Sequence, residues 1–161
     1  MDAPDPKQEL ISNGAWMAKL DSYFLCVFAV STRDLQKAQH VLASHGIKTQ
    51  TSCGERLAPD GRRFAWDYLV QEETRFGIAL PHIMSWTTKE HPSANSPSRC
   101  KLVSFEVKHP EAEALRSLYS DLNLDIAVYP SQAIALELTV EGPKGRFTLP
   151  TSCPSWGLDL E

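Results

Sequence analysis

From Ser22 to Ser31 the chain reads SYFLCVFAVS, a nearly unbroken apolar run bounded by polar residues, which predicts a buried strand. The period then changes. In TRDLQKAQHVLASHG, Leu35, Ala38, Val41 and Leu42 recur at helical spacing. Ser31 or Thr32 can cap this helix, Asp34 falls in its first turn, and Gly46 sits at its stop. IKTQTSC predicts a second strand, and APDGRRFAWDYLV a Pro-Asp-Gly turn opening into an alternating third. FGIALPHIMSW predicts a fourth strand, interrupted by Pro81 as at an edge or bulge. TTKEHPSANSPSR has the composition of a linker.

The order then recurs. KLVSFEVKH alternates as a strand, and PEAEALRSLYSDLN carries Leu115, Leu118 and Leu122 on one helical stripe, with Pro110 at its first position. LDIAVYP, AIALELTVEG and GRFTL predict three more strands. The expected organisation is a tail over 1–19, a module over 20–87, a linker over 88–100, a second module over 101–150 and a C-terminal tail over 151–161. Each module owns one helix, able to cover one face of its sheet. The other face must meet a second copy, a ligand or water.

Composition narrows the partners. With 161 residues, 42% of them hydrophobic, the chain can bury an ordinary core. The net charge is −4 and the 16 Lys and Arg are scattered, which gives nucleic-acid binding little electrostatic support. No apolar run approaches the ~18 residues of a membrane span. MDAPDPKQEL lacks the basic and apolar regions of a secretory leader, and Cys26, Cys53, Cys100 and Cys153 show no zinc spacing, so reduced thiols in the cytoplasm are expected.

The segments FAVSTRDLQKAQHVLASHGIKT, RLAPDGRRFAWDYLV, LPHIMSWTTKEHPS and LVSFEVKHPEAEALRSL, in that order, resemble the glyoxalase-like domain proteins of the vicinal oxygen chelate superfamily. The resemblance spans roughly Phe28 to Leu149. It implies an α+β fold of two βαβββ modules, with a curved mixed β-sheet and one helix covering each module. Relatives carry a further N-terminal module opening Leu-Asp-His, which this chain does not hold, so the resemblance implies a cleft completed by a second subunit; a homodimer is expected. It also implies a metal position at the start of each module's first strand and another on its fourth. Here those positions fall on Leu25, Leu102, Ser85 and Thr148, two aliphatics and two hydroxyls, so no cofactor is expected, a divalent metal being the alternative.

Side-chain alternation sorts the rest. Val103, Phe105 and Val107 should face the helix, leaving Leu102, Ser104, Glu106 and Lys108 on the cleft. Leu25, Val27 and Ala29 should share that cleft side. Glu137, flanked by Ala133, Ala135 and Thr139, is either a lone carboxylate whose partial burial suits it to acid–base chemistry or a solvated residue of the sheet face. His82, with Met84 and Trp86, should turn to the helix layer and Ser85 to the cleft, unless a bulge at Pro81 reverses the phase. In RRFAWDYLV two arrangements stay open. Either Phe64, Trp66 and Tyr68 pack under the helix and Arg63 and Asp67 enter the cleft, or the aromatics form an apolar ligand wall.

The leading expectation is a metal-independent enzyme doing isomerase, cyclase or lyase-type proton transfer on a small organic molecule. The catalytic candidates are Glu137, Asp67 and His82; the substrate-binding candidates are Arg63, Trp66, Ser85, Trp86 and Glu106. The alternatives are a protein that sequesters a small hydrophobic ligand against Trp66 and Trp86, and an accessory module completing a partner's cleft.

Overall fold

The computed structural model describes residues 25, 27–72, 75–89, 91–95 and 99–149. The expected Ser22–Ser31 strand falls partly outside them. The part described is a short strand, β1 (Ala29–Ser31). Helix α1 (Leu35–Ser44) follows. Its cap is Asp34 rather than Ser31 or Thr32, accepting the Lys37 N–H at 2.9 Å, while Thr32 Oγ1 accepts the Asp34 N–H. At the far end Gly46 takes φ +79, a left-handed conformation cheap only for glycine, and Ile47 N–H returns to the Leu42 carbonyl.

β2 (Thr49–Leu57) and β3 (Arg63–Gln71) form the expected hairpin. Its turn is held by Ala58, whose N–H donates to the Arg62 carbonyl, and by Asp60, which accepts the Arg62 Nε–H at 2.8 Å. The Arg62 guanidinium keeps the Asp60 carboxyl below its usual range. The fourth predicted strand is shorter than its apolar run, because Gly77–Ala79 form a 3₁₀ turn before β4 (His82–Trp86). These four strands lie in the order β1-β4-β3-β2, with β1 parallel to β4.

A second 3₁₀ turn, Pro92–Asn95, lies in the linker. The second sheet holds β5 (Lys101–His109), β6 (Ala127–Pro130), β7 (Ala135–Gly142) and β8 (Gly145–Leu149), with α2 (Ala112–Asp121) joining β5 to β6. Glu111, not Pro110, precedes the first helical residue. The helix ends on Asn123 at φ 57, with Leu124 N–H donating back to the Tyr119 carbonyl. The fold is α+β, two mixed four-stranded sheets with two helices, as the two-module arrangement requires.

The modules share an element order but not a strand order. The second sheet runs β6-β5-β7-β8, so its first strand pairs in parallel with the strand after the helix, and among the described residues its fourth strand pairs with the third alone. One hydrophobic core serves both. Leu42, Ile47, Leu69 and Ile83 of the first module join Val107, Leu115, Leu118 and Leu136 of the second. Side chains bridge the seam: Phe28 packs edge-on to Phe105 at 4.8 Å, the buried Tyr119 hydroxyl donates to the Ala79 carbonyl, and His45 meets Asp121 at 2.7 Å.

Candidate functional site

Both helices lie on the shared-core side, which leaves each sheet with a helix-free face among the described residues. The first such face is aromatic. Leu69 and Ile83 are buried in the core beneath α1, so by alternation Phe64, Trp66, Tyr68, Met84 and Trp86 lie on the opposite face. Of the two arrangements left open for β3, the aromatic wall is the one found.

Trp66 and Trp86 are direct cross-strand partners, their rings 5.5 Å apart at 62°. His91 continues the row, edge-on to Trp86 at 5.2 Å. Beneath Trp66, on β2, lies Gly54. A Cβ there would stand 2.8 Å from Trp66 Cε2 and Cζ2, so the indole lies across the glycine where no side chain can stand. Gly54 thereby fixes the ring flat on the sheet. Phe64 is closed off by two guanidinium groups, those of Arg56 and Arg62, 5.6 and 5.5 Å from its centroid.

This phase corrects the expectation for β4. Ile83 takes the slot under α1, so His82 and Trp86 face away from the helix and Ser85 faces toward it. His82 is exposed rather than a core histidine. Ser85 is opposite Asp67 on β3, both on the helix-side face. Ser85 and Trp86 border a hollow of about 430 Å³ with Ser31, Thr32 and Arg33, where β1 and β4 end together. Arg63 does not enter a cleft. Its Nε–H donates to Glu55 at 3.0 Å on the exposed surface.

The second helix-free face is polar. Val107 and Leu136 are fully buried, and Glu106, Lys108, Glu137 and Thr139 project from the other side as expected. Glu137 is not a lone carboxylate. Glu106 is its direct cross-strand neighbour, and Lys108 Nζ lies 2.9 Å from its Oε2, both ends of the pair well exposed. Thr139 and Thr148 share a hydroxyl hydrogen bond of 3.0 Å. The catalytic candidates therefore fall on three surfaces: Asp67 on the helix side of the first sheet, His82 on its bare face, and Glu137 on the bare face of the second sheet.

The positions at which the superfamily binds metal do not converge either. Leu25 packs with Phe28 and Val30 against the core instead of facing a cleft. Leu102 is exposed beside the register shift between Leu102 and Ser104. Two aliphatic and two hydroxyl side chains do not fit a divalent cation, and no three His, Cys, Asp or Glu among the described residues gather elsewhere.

His109, at the end of β5, is buried. Its Nδ1 accepts the Glu111 N–H at 2.9 Å, so its proton sits on Nε2, which is buried without a partner. Burial lowers its pKa below 6.5; Glu111 opposes that shift and Arg75 adds to it. Its cue in the sequence was Val107, which shares its parity.

Paired βαβββ modules with bare sheet faces define an α+β domain of the vicinal oxygen chelate architecture. The chain belongs to the glyoxalase-like domain family: that family's model matches residues 1–123. The match covers the first module together with β5 and α2, and stops before β6–β8, short of the expected Leu149. No curated protein and no solved structure matches the chain. No helix of the described residues is long and apolar enough to cross a membrane.

Proposed function

We propose that the protein binds a small, largely aromatic organic molecule on the bare face of its first sheet, without converting it. The observation carrying this reading is the platform of Trp66 and Trp86, with Gly54 beneath the first indole. A rigid aromatic wall gives contact area at low entropic cost, and small-molecule sites are largely apolar with few polar groups. Separation of Asp67, His82 and Glu137 across three surfaces favours binding over proton transfer, which needs the base within hydrogen-bond reach of the ligand. The same chemistry needs no metal.

A second reading keeps catalysis. It rests on the Lys108–Glu137 pair with Glu106 opposite, a proton-handling group on the other bare face.

The test is titration with a panel of aromatic carboxylates and heteroaromatics, followed by indole fluorescence and by mass spectrometry of the ligand. Binding reads Trp66→Ala or Trp86→Ala as a loss of affinity of roughly tenfold or more, with the ligand recovered intact. Conversion of the ligand that Glu137→Gln abolishes would replace this reading with the second.

A further inference from the structure

On the helix-covered side, where the two modules meet, a groove of about 400 Å³ runs between the start of α1 and the end of α2. Its size lies within the range of small-ligand sites, and such sites favour junctions between packed units. Val30, Val41 and Ile83 give it an apolar floor from the first module, and Leu124 supplies the wall from the second. Four charged side chains border it, and they are not equivalent. Asp34 is occupied as the cap of α1, and Asp121 is held by His45 at 2.7 Å. Arg33 and Lys37 have no side-chain partner among the described residues. The four formal charges balance, but each acid is already engaged within the protein, whereas the cations have no side-chain partner among the described residues and are the groups left to meet a ligand.

We propose that this groove binds a small amphipathic carboxylate, its apolar body against Val30, Val41, Ile83 and Leu124 and its carboxylate between Arg33 and Lys37. An apolar floor alone would hold any greasy molecule. Two bordering cations with no side-chain partner among the described residues favour an anion, because a carboxylate entering there gains charge-assisted hydrogen bonds that a neutral head group does not. The site is separate from the Trp66–Trp86 platform, which lies on the other face of the first sheet, and the two readings stand or fall independently.

Octanoate below its micelle concentration is the probe, with octanol as its neutral counterpart, on the full chain at fixed ionic strength. Methyl and indole resonances are followed by NMR. Saturable octanoate shifts at the methyls of Val41 and Leu124, with octanol weaker by roughly fivefold to thirtyfold, support the site. Arg33→Gln with Lys37→Gln should bring octanoate down to the octanol level while leaving the methyl spectrum of the free protein folded and dispersed. Equal affinity for octanoate and octanol overturns the proposal, as does an absence of saturation. Shifts confined to the indole N–H groups of Trp66 and Trp86 also overturn it, and place the ligand on the platform instead.

Discussion

Replacing Gly54 with alanine tests the aromatic platform directly. The added Cβ would lie 2.8 Å from two atoms of the Trp66 indole and 2.9 Å from its Nε1. Carbon contacts settle at about 3.5–4.0 Å, so the overlap is roughly 0.7 Å or more and the ring must leave the sheet. Overpacking of this kind costs about 1–3 kcal/mol. Against it, alanine in a strand interior gains about 0.5–1 kcal/mol over glycine. The expected balance is a loss of about 1 kcal/mol, accompanied by a weaker near-ultraviolet dichroism signal as Trp66 loses its edge-on contact with Trp86. Urea unfolding of Gly54→Ala gives the first number, and near-ultraviolet dichroism the second. Trp66→Leu supplies the control: with the indole gone, Gly54→Ala should turn stabilising by about 0.5–1 kcal/mol, a reversal of sign that a double-mutant cycle reads as coupling. If Gly54→Ala stabilises the wild-type background and leaves the dichroism unchanged, the indole does not lie over Gly54 and the platform argument is wrong.

Three further outcomes follow from the same geometry. His109 is buried neutral, with its folded pKa below the unfolded value of 6.5, so the unfolded chain binds its proton first as pH falls. The urea midpoint should therefore decline below about pH 6.5, and His109→Gln should flatten that decline; an equal slope in both proteins removes His109 as its source. Tyr119→Phe leaves the buried Ala79 carbonyl without its donor across the module seam and should cost about 1–3 kcal/mol in urea unfolding, whereas a neutral result would mean water replaces the hydroxyl. Glu106→Gln relieves a like-charge pair directly opposite Glu137 and should stabilise by a few tenths of a kcal/mol at low salt, shrinking as salt is added. A destabilisation there would mean that Lys108 is shared by both carboxylates.

Much of the fold was legible because apolar period and strand length agree: both helices and all four hairpin and sheet segments after the linker stand where alternation puts them. Phase was legible only where one face alone is apolar. In KLVSFEVKH and AIALELTV the polar partners Lys108, Glu106, Glu137 and Thr139 leave one choice, and the structure takes it from Ser104 onward, while the register shift before Ser104 leaves Val103 exposed instead of under the helix. HIMSW offers two, since Ile83 on one phase competes with Met84 and Trp86 on the other. The tie is broken by shape that no pattern shows: Ile83 fits beneath α1 against Val30 and Leu69, while two indoles need the open face. One residue of phase moves His82, Ser85 and Trp86 together, as it must in any strand.

The second module shows the limit of reasoning by repeat. Equal element order suggested that Thr148 occupies the place in its sheet that Ser85 occupies in the first. Strand order breaks the equivalence: β4 lies against β1 in parallel, whereas β8 pairs with β7, which separates it from β5. Thr148 thus reaches Thr139, not the residues at the start of β5, and a ligand set drawn from first and fourth strands cannot close in that sheet. Crossover handedness and edge pairing are tertiary choices with little trace in local period. The first module keeps the arrangement from which a cleft can be built, and it is also the module that carries the aromatic wall. The family match runs through that module and ends at residue 123, before the strands that depart from its order. Binding is therefore argued from the first sheet, and the Glu106–Lys108–Glu137 cluster stands as a feature of a differently connected one.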